Sequence, residues 1–513
     1  MQTTRRDLLR AGVAAVAGGA LDEAAPGTPP AQKLASPVGH YHPELLLLAP
    51  ESGEDANTRS LLAQFLELGV PVELDARWRL PAVPPRDLSA YKACIFPESA
   101  RARYDADLDA FYRRGGYLGY FKYYPLAEGE GSGVHHYLVS YGRDAYFYHV
   151  ANVLLEGGLT VGDADFGRAL AARPVASIVA DCRESFFARY GARSLGRWES
   201  WGDTAYTYLI ANHLLAARLG DRPWQDLVRY CLTKVHESAP EAARGTFSET
   251  RALADSPSIG IPMMGEVLMR FGAEEKVPEF VESGLGLVRS FVERAGQIDG
   301  VLSSAYMRLF WSETLMPVPA LYWASRVSGE QRFAALADRM VRAVTASNQR
   351  ADGLWHHWTD KRGRKGACWS RGSSWPALAM TRALAAAGAD SEAARFMRAT
   401  LARTEAGLAR HQDRGGIWRL VVDEPATRLE TSAASALVYC HDRLRELGAV
   451  DGRRDALFER AFAGLKRLHY RGGLAASCRG TATGAAEYYR TRPLGYYDLG
   501  LFAAALAPRL GQP

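Results

Sequence analysis

Leu45-Leu46-Leu47-Leu48-Ala49 is a short unbroken apolar run, the pattern of a strand covered on both faces. Over 57–68 the period changes to that of a helix, with Leu61, Leu62, Phe65 and Leu68 on one face and Gly69 as the stop. Val70–Leu74 and Tyr91–Phe96 predict two more strands. Asp105–Arg114 predicts a helix closed by Gly115-Gly116, and Tyr117–Phe121 a fourth strand. Strands alternating with helices imply an open, mostly parallel α/β sheet, here filling a domain over 43–190.

From about residue 195 to 513 strand signals fade and helical periodicity takes over. Ala205, Leu209, Asn212 and Leu215 line one face, and Ala433, Ala436, Leu437, Cys440 and Leu444 another. A helix end followed by Gly and a nearby acid recurs at Gly220-Asp221, Gly272-Ala273-Glu274, Gly329-Glu330, Gly388-Ala389-Asp390 and Gly448-Ala449-Val450-Asp451. Gly supplies the left-handed cap and the acid favours the start of the next helix. A repeat of this size, one helical hairpin per unit, predicts a helical array. Five hairpins are visible, and Pro493–Leu506 supplies part of a sixth. Six hairpins close into an (α/α)6 barrel, the alternative being an open solenoid. The tight Gly turns contrast with long connections near 238–256, 296–312, 350–369, 409–428 and 471–492. Long loops on one face of a rigid scaffold carry function, and the helix N-termini there favour an anion.

Composition adds exclusions. The 513 residues carry 62 Lys+Arg against 57 Asp+Glu, too small an excess to imply a nucleic-acid partner. No apolar stretch is long enough for a membrane span. The six cysteines lack CxxC or CxH spacing, and no strand is followed by Gly-x-Gly-x-x-Gly, so no metal or cofactor is expected. Arg5-Arg6-Asp7-Leu8-Leu9 and the mildly apolar stretch to Leu21 resemble a twin-arginine export signal over 1–21, against an amphipathic surface helix as the other option. The expected location is periplasmic or secreted, with the Ala/Pro-rich 22–42 as a linker.

The long loops hold the candidate chemistry. The third contains Trp355-His356-His357-Trp358, and Trp369-Ser370-Arg371-Gly372-Ser373-Ser374-Trp375 opens the next helix. Aromatic faces stack on a sugar and Arg grips a carboxylate with two bonds, so this grouping suits a sugar acid, although any one Trp is equally a core residue. The second loop ends in Trp311-Ser312-Glu313, the first in Asp255 and the fourth in Glu430. Three loops thus bring carboxylates to one face, as glycosidic acid–base chemistry requires. Capping is the competing role for each, with Ser312 the N-cap in the second loop and Glu430 favoured as a cap in the fourth.

Two resemblances follow from these motifs. The strand, helix, Gly-Gly, strand ending of the first domain resembles the flavodoxin-like class I glutamine-amidotransferase fold. Phe121-Lys122-Tyr123-Tyr124-Pro125 stands where those enzymes place their Gly-x-Cys-x-Gly elbow, which implies a non-catalytic domain. In the helical domain, Trp369-x-Arg371-Gly372-x-x-Trp375, His357 before it, Leu429-Glu430-Thr431-Ser432-Ala433 after it and the Tyr-rich segment at Tyr488 resemble the unsaturated rhamnogalacturonyl and glucuronyl hydrolases, glycoside hydrolase families 105 and 88. The resemblance implies an exo-acting hydrolase that protonates the C4=C5 bond of a terminal unsaturated uronic acid and adds water at C5, acting on oligosaccharides left by lyases. It implies Glu313 and Asp255 as catalytic carboxylates, with Glu313 where the family has Asp and Asp255 one residue out of its spacing. His357, Trp369, Arg371, Trp375, Trp311 and Tyr488 are the implied substrate contacts. The alternatives are an exo-glucuronidase on saturated uronides, a lyase or epimerase on the same barrel, and a carbohydrate-binding protein without turnover.

Overall fold

The computed structural model describes 44–49, 62, 65–66, 70–122 apart from 115, 136–139, 174–198 and, with gaps at 246–257, 304–308, 479–493 and some shorter ones, 201–510. The segments expected as export signal and linker lie outside these residues. The chain divides into two compact units, Met1–Arg168 and Ala169–Pro513.

The first unit is built on β1 (Leu45–Leu48), β2 (Val72–Asp75), β3 (Ala93–Pro97), β4 (Tyr117–Lys122) and β5 (His136–Val139). Every pairing is parallel, in the order β2-β1-β3-β4-β5, with Leu45 opposite both Val72 and Ala93. All four leucines of β1 are buried, as its unbroken apolar run requires. Helix α1 (Arg101–Arg113) packs Tyr104, Leu108 and Phe111 onto Leu46, Leu48, Cys94 and Phe96. The four expected strands are present, and β5 is an addition to them. Of the helix expected over 57–68, only Leu62, Phe65 and Leu66 are described, and they are helical.

The second unit begins with α2 (Val175–Tyr190), α3 (Asp203–Leu219), α4 (Arg222–Ala243), α5 (Gly260–Glu275), α6 (Pro278–Arg294), α7 (Val318–Ser328) and α8 (Gln331–Asn348). It continues with α9 (Ser370–Leu384), α10 (Glu392–Ala409), α11 (Thr431–Glu446), α12 (Asp455–Leu468) and α13 (Gly500–Leu506). Helices α3, α5, α7, α9, α11 and α13 each touch the next, and α13 returns to α3, so the inner ring closes. The array is a barrel, not an open solenoid. Helix α2 packs with α3, α4 and α13, and Ile178, Cys182 and Phe186 join the core of the helical unit. The sixth pair is therefore made from opposite ends of the unit, and the boundary expected near 190 lies instead at Arg168/Ala169.

Four of the five expected turns rest on a glycine at positive φ, namely Gly220, Gly329, Gly388 and Gly448. The second turn does not. Gly272 lies inside α5, and the left-handed residue is Lys276, at φ 57 and ψ 48. A Cβ on Gly272 would come 2.8 Å from the Val277 carbonyl oxygen, so this glycine permits close approach within the hairpin. The segment expected as the last loop and the start of α13 also differs, for it forms β10 (His469–Tyr470), β11 (Gly473–Cys478) and β12 (Leu494–Asp498), paired antiparallel.

Inside the ring lies a polar network that no sequence motif announces. Arg382 of α9 donates to both oxygens of Glu266 of α5, at 2.5 and 3.2 Å, and Tyr206 of α3 donates to Glu266 at 2.5 Å. Glu266 is 1% exposed and Arg382 4%, so each charge depends on the other for compensation.

Candidate active site

The second long connection forms a hairpin, β6 (Gly296–Ile298) on β7 (Val301–Ser303), and is tied to the third by a short antiparallel ladder, β8 (Leu309–Trp311) on β9 (Trp358–Asp360), with Trp311 opposite Trp358. Just beyond it the Ser312 amide donates to the His357 carbonyl at 2.9 Å, and the His357 amide to the Ala367 carbonyl at 3.0 Å. The fourth connection holds the start of α9. Ser370 donates to the Leu420 carbonyl and Val422 to the Cys368 carbonyl, each at 2.9 Å. Arg350 reinforces this junction through Asp423 at 2.6 Å and Cys368 Sγ at 2.9 Å. Three connections thereby fix Glu313, His357, Trp369 and Arg371 in one cluster.

Glu313 sits in the single 3-10 turn Ser312–Leu315 that precedes α7. The N-cap of that turn is Trp311, and the Ser312 hydroxyl, expected as the cap, instead donates to Glu313 Oε2 at 2.9 Å. His357 Nε2 lies 3.0 Å from Glu313 Oε1. Burial by itself would push the Glu313 carboxyl up. The Coulombic pull and hydrogen bond of His357, joined by a backbone amide and Ser312, outweigh it and hold the group below the usual glutamate range. Glu313 is thus ionised at neutral pH, and 15% of its side chain remains exposed.

His357 is fully buried between two indoles, Trp311 at 4.6 Å and Trp369 at 4.5 Å between centroids. Gly372 makes room for it, since a Cβ there would stand 3.3 Å from both His357 Cα and Ser312 Oγ. Trp369 also carries the Arg371 guanidinium over its ring, with Cζ 4.5 Å from the centroid. Arg371 Nη1 donates to Ser432 Oγ at 3.3 Å, and the Ser432 hydroxyl donates to Glu430. Glu430 is the N-cap of α11, accepting from the Ser432 amide at 3.0 Å, so its expected capping role is present.

Of the expected site residues, Glu313, His357, Trp311, Trp369 and Arg371 come together. Trp375, 4% exposed, belongs to the hydrophobic core of the helical unit. Trp311 and Trp369, at 6% and 2%, brace His357 and Arg371 and leave little ring free to meet a sugar. Asp255 and Tyr488 lie outside the described residues. Ser432 is the contact the sequence does not disclose as part of the site, because its visible signal is that of a helix start. Among the described residues no group of three or more His, Cys, Asp or Glu is placed to hold a metal ion.

Comparison with known proteins bears on the family and the fold. Residues 288–509 match the sequence profile of Glycosyl Hydrolase Family 88. The chain is similar in fold to a possible member of glycoside hydrolase family 105 from Klebsiella pneumoniae, at 18% identity and TM-score 0.55, over 66% of this chain and 92% of that one. A family 105 glycoside hydrolase from C. acetobutylicum matches at 16% identity and TM-score 0.53, over 65% and 98%. A family 88 glycosyl hydrolase from Bacteroides vulgatus matches at 15% and 0.51, over 65% and 97%. No curated protein matches in sequence. Over residues 288–509 the helical unit therefore resembles Glycosyl Hydrolase Family 88, and the protein is a glycoside hydrolase.

Proposed function

We propose that the barrel removes a terminal 4,5-unsaturated uronic acid from oligosaccharides left by lyases, acting from the chain end. The observation that carries this reading is the Glu313–His357 pair, at 3.0 Å, beside a guanidinium in the same cluster of loops. Arg371 grips the uronate carboxylate. Glu313 starts ionised, and the arriving negative charge together with expulsion of water raises its proton affinity so that it takes up a proton. It gives that proton to C4 of the C4=C5 bond, and positive charge develops at C5. Water adds at C5 and returns its proton to Glu313. The hemiketal so formed opens and releases the next sugar, one water having been consumed in all.

The parallel sheet order β2-β1-β3-β4-β5 supports a flavodoxin-like, amidotransferase-like first domain. With no cysteine elbow after β4, its role in this reading is non-catalytic. The pair Arg5-Arg6 supports export through the twin-arginine route to the periplasm or beyond. The oligosaccharide is the partner this scheme requires; it calls for neither nucleic acid nor cofactor. No helix among the described residues is long and apolar enough to cross a membrane.

The test sets a lyase-generated unsaturated glucuronyl disaccharide beside its saturated counterpart. Hydration removes the ultraviolet absorbance of the C4=C5 bond and releases a reducing sugar from the first alone. Release from the saturated compound, with the unsaturated one untouched, would transfer the site to ordinary glucuronide hydrolysis. Binding of both without release would reduce it to a carbohydrate-binding site.

A further inference from the structure

Glu430 is wholly buried, which is more than a helix cap asks for. A cap needs one acceptor for an early amide of the helix, and Ser, Asn or Asp provides it without burying a longer charged side chain. What distinguishes Glu430 is its second bond. The oxygen that accepts from the Ser432 amide at 3.0 Å also accepts from the Ser432 hydroxyl. A serine hydroxyl has one proton and two lone pairs. With the proton committed to Glu430, only lone pairs face Arg371, whose Nη1 donates to that same oxygen at 3.3 Å. Arg371 is itself 4% exposed and has its guanidinium over Trp369, which carries His357 4.5 Å away. The polarity of one hydroxyl therefore bears on the direction of one buried guanidinium.

We infer that Glu430 is a positioning residue, which acts through the Ser432 hydroxyl to aim Arg371 at the substrate carboxylate. The inference rests on the proposed role of Arg371, and it separates two functions that share one carboxylate. The bond to the Ser432 amide caps α11. The bond to the Ser432 hydroxyl orients Arg371. Ser432→Ala removes the second and keeps the first. Glu430→Gln keeps an acceptor for the amide, but its NH2 can donate to Ser432 Oγ and so turn the hydroxyl proton toward Arg371. Ser432→Thr retains the hydroxyl.

The experiment has two readouts, crystal structures of Ser432→Ala and Glu430→Gln, and kinetics on the unsaturated glucuronyl disaccharide with Arg371→Met as reference. In both variant structures Arg371 is expected to leave its place over Trp369. KM is expected to rise about five- to ten-fold with kcat within roughly two-fold, the pattern of a lost binding contact, and Ser432→Thr should restore it. Combining Ser432→Ala with Arg371→Met should add little to Arg371→Met alone. Unchanged KM, with Arg371 still over Trp369 and only the melting temperature lowered, would overturn the inference and leave Glu430 a cap. If the wild-type enzyme does not turn over the disaccharide, the functional reading fails. The position of Arg371 in the two variant structures then still decides the positioning claim.

Discussion

Glu313 shows how far a residue's neighbours can override its position in the sequence. As a carboxylate at a helix start it reads equally well as a first-turn acid or a catalyst, and only the structure brings His357 to it, 44 positions along the chain. The pairing has a consequence for stability. A carboxyl held below its unfolded value contributes stability that is complete above the ordinary glutamate range and is lost as pH falls through the depressed value. Glu313→Gln should therefore lower the thermal midpoint at neutral pH, and the gap to wild type should close on acidification. Melting curves from neutral to acid pH check this, and a gap that widens toward acid would contradict it. Arg371 allows a companion test. Lysine keeps its charge but loses the planar fork and the stacking on Trp369, so Arg371→Lys should raise KM by a loss of about 1.5–3 kcal/mol. Initial rates over a range of uronide concentrations would show it, and an unchanged KM would make Arg371 a packing residue. The sequence made the types and order of these residues legible. Two things were beyond it: that Trp375 would turn into the core while Trp369 turned to the site, and that Ser432 would bond sideways to an arginine 61 positions away. Both depend on rotamers and helix rotation, which a motif does not encode.

At the scale of elements, periodicity and punctuation carried most of the information. The helical hairpins were legible from glycine spacing because four turns use the left-handed conformation that glycine adopts freely. The exception is instructive. Gly272 has the same local sequence appearance but serves close packing, while Lys276 takes the left-handed turn four residues later. A non-glycine residue there carries a steric cost of roughly 1–2 kcal/mol, partly offset in a Lys276→Gly variant by the freer unfolded chain. Lys276 is exposed, so little else is lost, and Lys276→Gly should stabilise the fold by about 0.5–1 kcal/mol. Chemical denaturation measures this, and a destabilised variant would mean that the lysine side chain contributes more than its backbone costs. The short strands β8 and β9 and the antiparallel β10–β12 were not legible. They run for only two to six residues, too short for period-two alternation to stand out from loop composition.

At the scale of the whole molecule, closure of the ring is the fact that sequence repeats alone leave open. It is completed by α13 meeting α3, with α2 drawn from far upstream as an outer helix. A chain-order reading assigns α2 to the preceding domain because its partner lies at the other end of the unit. The Glu266–Arg382 pair inside the ring joins α5 to α9, with Tyr206 of α3 bonded to the same glutamate. Removing one charge strands the other in the interior, so Arg382→Met should destabilise the fold by about 3–5 kcal/mol. A shift of less than about 1 kcal/mol in a denaturant titration would mean that water reaches Glu266 and that the pair does little to hold the ring.

The central claim is that Glu313 moves the proton in hydration of an unsaturated uronide, and it is tested most directly by one rate comparison. Wild-type enzyme and Glu313→Gln are each mixed with the same lyase-generated unsaturated glucuronyl disaccharide, and the disappearance of the C4=C5 absorbance is followed at saturating substrate. The account predicts steady loss of absorbance with the wild type and a kcat lower by about 10²-fold or more for the variant, with KM little changed. Loss of absorbance at a near-wild-type rate in Glu313→Gln would contradict it, and the proton would then come from another group.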